Sequence, residues 1–269
     1  MDLGIKGRRA LVAGSSSGIG AAIALELARE GVEIVVHGRS ADSAEAVRAQ
    51  IEAEGGRALV VLASLDDPAQ VERLAQGALA GGPIDILINC AGAASTLYRW
   101  FDAPKDSWQK QFQTSTFYAM QLIRAIVPQM RKRGWGRVLN VSSAAAYKAM
   151  PLHPEYAAAK IALHSMTATL SSELGDCGVT VNTLVPGAVA TPNTLKNMEH
   201  SRAAFGFSET GAALEKRIIR EVWRTNIPAG RTGSVEEIAA AACFLVSNRA
   251  SYVMGAALRV DGGSSNSIA

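Results

Sequence analysis

Cysteine, histidine and aromatic residues are scarce in this chain. Of its 269 residues only three are cysteines, Cys90, Cys177 and Cys243. They lie far apart and form no C-x-x-C pair, so they read as reduced thiols in a cytosolic protein, neither a disulfide framework nor a zinc site. The four histidines are scattered and add no metal-ligand spacing. No apolar run is long enough to span a bilayer, and Met1-Asp2-Leu3-Gly4-Ile5-Lys6 lacks the apolar stretch of a secretion signal. A long basic run is also missing. The charges, 27 Lys+Arg against 24 Asp+Glu, are interspersed, which argues against a nucleic-acid surface. The short run Arg131-Lys132-Arg133 falls where a helix should end, where cations suit the dipole. A soluble cytoplasmic protein is expected, with no nucleic-acid or membrane partner.

What the chain does have is a regular alternation of short apolar strands and amphipathic helices. Arg9-Ala10-Leu11-Val12-Ala13 reads as a strand buried on both faces. The turn Gly14-Ser15-Ser16-Ser17-Gly18-Ile19-Gly20 follows, then a helix over residues 21–30 with Ile23, Leu27 and Ala28 on one face. Further strands are expected over 32–36, 58–63, 84–89, 137–142, 179–185 and 256–260. Helices are expected over 42–54, after Pro68, over 105–130 and from Tyr156 through Leu174. Asp67 can cap the helix that Pro68 starts, and Ser234 with Glu237 has capping-box spacing. This order predicts an α/β fold: a single doubly wound Rossmann-type domain over residues 1–269, its parallel sheet covered by helices on both faces.

Ligands of such sheets bind at the carboxyl ends of the strands. Gly14, Arg39, Asn89, Ser143 and Pro186-Gly187 all fall at that edge. Glycines let the backbone approach an anion, and N–H groups at a helix N-terminus point at it, so Gly14 to Gly20 reads as a nucleotide phosphate site. At the end of the second strand, the acid that often holds the adenosine ribose is absent. Gly38 stands there, followed by Arg39 and Ser40. An arginine matches a 2′-phosphate bidentately, and Ser40 and His37 can add hydrogen bonds, so NADP(H) is expected over NAD(H). Tyr156-Ala157-Ala158-Ala159-Lys160 puts a phenol and an ammonium one helical turn apart on one face. A neighbouring cation favours the phenolate, so Lys160 is expected to pull the Tyr156 pKa down from about 10 and make the phenol a general acid or base.

These pieces together resemble the short-chain dehydrogenases/reductases over essentially the whole chain. The matching residues are Gly14 to Gly20, Asn89-Cys90-Ala91-Gly92, Ser143 thirteen residues before Tyr156, Tyr156 to Lys160, Val181-Asn182, Pro186-Gly187, and the tail from Gly230-Arg231 to Asp261-Gly262-Gly263. The resemblance implies a seven-stranded parallel sheet and a symmetric homotetramer. It implies Tyr156 as proton donor to a carbonyl, Ser143 as hydrogen-bond donor to the same oxygen, and Lys160 on the nicotinamide ribose. It also implies cofactor contacts at Gly14, Ser16, Ser17, Gly18, Ile19, Gly20, Arg39, Ser40, Ser64, Leu65, Asn89, Ala91 and Gly92, and at Tyr156, Lys160, Pro186, Gly187, Val189 and Thr191. Three departures stand out. Ser115 occupies the place of an asparagine that holds a relay water, Ser64 that of an acid beside adenine, and Cys90 and Ala13 those of an asparagine and a threonine.

Residues 191–231 read as a substrate lid of one or two helices, with helical character over 214–224. The pocket is expected to include Ala94, Leu97, Tyr98, Ser143, Met150, His153 and Trp223, a mostly apolar set, and Glu155 stands nearby. The implied activity is NADPH-dependent, reversible reduction of a small to mid-sized, mostly apolar ketone. A 3-oxoacyl-thioester reductase is the main competitor. A non-catalytic NADP-binding regulatory or scaffold protein is the alternative of another class.

Overall fold

The computed structural model describes residues 2–92, 98–148 and 152–265. Seven strands form one sheet: β1 (Arg9–Ala13), β2 (Glu33–Gly38), β3 (Ala58–Leu62), β4 (Ile86–Asn89), β5 (Gly136–Val141), β6 (Val179–Pro186) and β7 (Ala257–Val260). Every pairing is parallel and the order is β3-β2-β1-β4-β5-β6-β7. The order reverses between β1 and β4. Connections there leave in opposite directions, which opens a crevice at the carboxyl ends of the strands.

Alternation along each strand sends residues to two separate cores. Ala10 and Val12 of β1 pack on α1 (Gly18–Arg29), α2 (Ala41–Ala53) and α9 (Val235–Leu245). Leu11 and Ala13 pack on the opposite face, with α3 (Pro68–Ala80), α5 (Tyr118–Arg133) and α6 (Pro154–Glu173). With both faces covered, strands need apolar residues at successive positions, and the sequence shows such runs. The helix signals were equally local. The Asp67 side chain accepts from Ala69 N–H at 2.9 Å. Ser234 and Glu237 form the capping box, at 3.2 and 2.8 Å. None of the described helices is long and apolar enough to cross a membrane.

Two elements differ from the periodic reading. The stretch expected as one helix over 105–130 is three consecutive pieces: α4 (Lys105–Phe112), a π-helical turn (Gln113–Phe117) and α5, which ends where Gly134 turns left-handed at φ 70°. One extra residue in a turn leaves apolar spacing nearly unchanged, so periodicity does not reveal it. The segment expected as a lid contains α7 (Pro192–Phe205), α8 (Gly211–Arg217) and a second π-turn (Ile218–Val222). These close on a small core of their own, Met198, Phe207, Leu214 and Ile218.

Candidate active site

The carboxyl ends of β1, β2, β4, β5 and β6 open onto one cleft of about 610 Å³. The glycine-rich turn forms its floor. Gly14 has φ +86°, and a Cβ there would lie 2.9 Å from Ala91. Ser17 precedes α1 without a side-chain cap, so the first N–H groups of that helix are left for a ligand. This cradle, with a 12-residue helix behind it, fits a dinucleotide pyrophosphate.

At the end of β2, Arg39 is exposed at the cleft wall and makes no ion pair among the described residues. Gly38 cannot be exchanged for an acid without a shift, because a Cβ would meet Ser16 Cβ at 2.6 Å. His37, which could add a hydrogen bond to the phosphate, borders the cleft with both ring nitrogens engaged elsewhere. It is buried, its Nδ1 accepting from Gly14 N–H at 2.9 Å and its Nε2 lying 3.2 Å from the Ala63 carbonyl oxygen. It is therefore a neutral ring with its proton on Nε2, clamping the glycine-rich turn between β2 and β3.

Burial pushes the His37 pKa down to about 4, from 6.5, and the Arg39 charge adds to the effect. The unfolded chain binds this proton at higher pH than the folded one. Stability is therefore full above the unfolded pKa and is lost as pH falls toward the folded one. The expected loss between about pH 7 and pH 5 is about 2 kcal/mol. Urea unfolding of wild type and His37→Gln at both pH values checks this. An equal pH dependence in the two proteins would rule out His37 as the titrating group.

The other end of the cleft lies beyond β5. Ser143 caps a short 3₁₀ turn (Ala144–Ala146), accepting from Ala145 N–H at 3.2 Å. Tyr156 and Lys160 line the same wall from the first turns of α6. Lys160 is buried, and its Nζ donates to the Val141 carbonyl at 2.9 Å and the Ala91 carbonyl at 3.3 Å. Nζ stands 5.8 Å from the Tyr156 ring centroid. Burial lowers the Lys160 pKa to about 8, which leaves the ammonium mostly charged at neutral pH.

The expected depression of the Tyr156 pKa by Lys160 is not found. Burial raises it, the Ser143 hydroxyl pulls it back in part, and the Cys90 sulfur adds to the rise. The ammonium is turned to the carbonyls of Val141, at the end of β5, and Ala91, just past β4, and the loss of water around the phenol outweighs it. Cys90, in the cleft wall where an asparagine was expected, is itself pushed up to about 11 by burial and stays a thiol.

Most of the expected cofactor positions line the cleft, among them Ser64, Leu65, Pro186, Gly187 and Thr191. Four do not. Gly18 is turned into the start of α1 at φ +57°, and Ser40 is the exposed N-cap of α2. Asn89 is fully buried and donates to Asn140 Oδ1 at 2.8 Å, tying β4 to β5. Val189 is buried in a bridge to Gly233.

Ser115 is fully buried in the π-turn behind Gly92 and accepts from Gln111 Nε2 at 2.8 Å, outside the cleft lining. Its Oγ lies directly behind Gly92, where a Cβ would meet it at 2.5 Å. Trp223 packs on the lid's own core. Glu155 is buried outside the cleft lining, and its carboxylate has no hydrogen-bond partner among the described residues.

His153 stands with its ring 6.4 Å from that of Tyr156, and its N–H donates to the Tyr98 carbonyl at 3.0 Å. Ala94, Leu97 and Met150 lie outside the described residues. Sequence reasoning missed Asp66, Lys110, Thr114 and Val141 as cleft residues and placed Ser142 at the strand end without giving it a part in the site. Lys110 and Thr114 share a helical face, a signal that was legible. Asp66 and Ser142 adjoin positions already singled out.

A family model described as enoyl-(acyl carrier protein) reductase matches residues 13–265. Gluconate 5-dehydrogenase of Gluconobacter oxydans is 36% identical over 96% of this chain and 95% of its own. The 3-oxoacyl-[acyl-carrier-protein] reductase of Pseudomonas aeruginosa is 34% identical over 97% and 98%. The solved structure of L-sorbose reductase from Gluconobacter frateurii, complexed with NADPH and L-sorbose, superposes with a TM-score of 0.91 at 32% identity. It covers all of both chains.

Proposed function

Because the chain belongs to the short-chain dehydrogenase/reductase family of oxidoreductases, we propose that it is an NADPH-dependent reductase converting a ketone reversibly to a secondary alcohol. The observation that carries this reading is the meeting of Ser143, Tyr156 and Lys160 at one end of the cleft whose other end holds the glycine-rich turn and Arg39. NADPH held along that cleft supplies the hydride. The turn before α1 receives the pyrophosphate, and Arg39 receives the 2′-phosphate.

The chain's own contribution is proton transfer and charge stabilisation. Tyr156 gives its phenolic proton to the substrate oxygen as negative charge develops there. Ser143 donates a hydrogen bond to the same oxygen. A phenol held protonated by burial suits a proton donor. Lys160, fixed by two carbonyls, keeps a positive charge beneath the reacting end. The segment 191–231 acts as the lid of a single catalytic unit, and the enzyme works in the cytoplasm as a homotetramer. The exposed apolar side chains Phe117, Met120 and Ile161 support self-association.

The substrate is a small to mid-sized carbonyl compound. The apolar residues Tyr98 and Trp100 in the stretch after Gly92 of the sequence speak for an apolar ketone. The likeness to L-sorbose reductase over the whole chain favours a second reading, a hydroxylated ketone. The test follows NADPH oxidation with cyclic and aromatic ketones, a ketohexose and a 3-oxoacyl thioester. Turnover of one class is expected, with NADPH preferred over NADH. NADPH binding without turnover of any class would replace the enzyme reading with the scaffold one.

A further inference from the structure

Behind the reacting end runs a line of hydrogen bonds with one possible direction. His164 lies on α6, eight residues after Tyr156, and does not line the cleft. Ser142 Oγ donates to the Lys160 carbonyl at 3.0 Å. His164 Nε2 stands 2.8 Å from the same Oγ, and Tyr147 Oη stands 3.3 Å from His164 Nδ1.

A helix carbonyl can only accept, so the Ser142 proton points at Lys160. Ser142 Oγ must then accept from His164, which places the imidazole proton on Nε2. That leaves Nδ1 as an acceptor for the Tyr147 hydroxyl. All three roles thus follow from one carbonyl. Burial lowers the His164 pKa, in keeping with a neutral ring.

The line completes a clasp between β5 and α6. Lys160 Nζ donates to Val141 of the strand, while Ser142, the next residue, donates to the backbone of Lys160. Ser143 follows directly and Tyr156 is one turn before Lys160. The three reacting side chains therefore hang on these two crossed hydrogen bonds. We propose that His164 is a positioning residue for the reaction, holding the Ser142 hydroxyl on the Lys160 carbonyl, with Tyr147 donating to its Nδ1. This rests on the roles assigned to Ser143, Tyr156 and Lys160 above. The neighbouring Lys148 Nζ donates to Thr225 Oγ1 at 3.1 Å, just beyond the lid helices, so the lid and the clasp share one turn.

The alternative is that His164 only fills space, since its ring packs edge-on against Tyr147 at 5.2 Å. His164→Phe keeps the ring and removes both nitrogens, whereas His164→Gln restores an N–H donor of similar reach. The phenylalanine variant should lose about tenfold in kcat. NADPH affinity, measured by fluorescence titration, should stay unchanged, and the glutamine variant should recover most of kcat. Equal kcat losses in the two variants, or full kcat in the phenylalanine one, would show space-filling only.

Imidazole ¹⁵N shifts provide a readout independent of turnover and of those variants' folding. Wild type and Tyr147→Phe should both carry the proton on Nε2, whereas Ser142→Ala, which removes the acceptor, should show mixed tautomers. A wild-type proton on Nδ1 overturns the assignment. An absence of ketone turnover in wild type would instead overturn the proposed function, leaving the tautomer result to stand or fall by itself.

Discussion

Tyr156→Phe is expected to lower kcat for ketone reduction by about two to four orders of magnitude, with NADPH affinity nearly unchanged. The substitution keeps the ring that faces His153 and removes only the hydroxyl. No described neighbour replaces it. The Ser143 hydroxyl donates a hydrogen bond to the substrate oxygen but is too weak an acid to give up its proton, and Lys160 Nζ is held by two carbonyls. Steady-state NADPH oxidation gives kcat, and fluorescence titration gives the cofactor Kd. Full turnover in the mutant would remove Tyr156 as proton donor. A parallel loss of NADPH binding would mean that its part is structural.

Arg39→Asp is expected to cut kcat/KM with NADPH by about a hundredfold and to leave or improve that with NADH. Two charge-assisted hydrogen bonds to a phosphate contribute about 1.5–3 kcal/mol each before solvent screening, and the new carboxylate adds repulsion. Arg39 is exposed, so the screened value sits near the lower end. Gly38 makes Arg39 the better choice for this test. An acid at position 38 would collide with Ser16 and disturb the turn for steric reasons alone. Unchanged cofactor preference in Arg39→Asp would refute the phosphate role.

The sheet was legible in the chain because the central strands, covered on both faces, must be short apolar runs, and helices such as α3 and α9 start on a local side-chain cap. The glycine-rich turn and the Tyr156/Lys160 pair were legible for the same reason. Their meaning is carried by spacing within one turn of backbone. Boundaries slipped by a few residues where burial continues past the apolar run, as at His37 and Gly38 in β2.

What only the tertiary structure decided concerns polar side chains whose partners are distant in sequence. His37 had the same local look as Arg39, yet it points inward because Gly14 and Ala63 supply a donor and an acceptor there. Asn89 turns to Asn140, Ser115 to Gln111, and Trp223 to the lid core.

The Tyr156/Lys160 pair shows the division most clearly. Its spacing on one helix face is a property of the sequence. The sign of the phenol's pKa shift is not. It depends on how much water the cleft removes and on the Val141 and Ala91 carbonyls that hold the ammonium, and both are set by packing across the sheet edge.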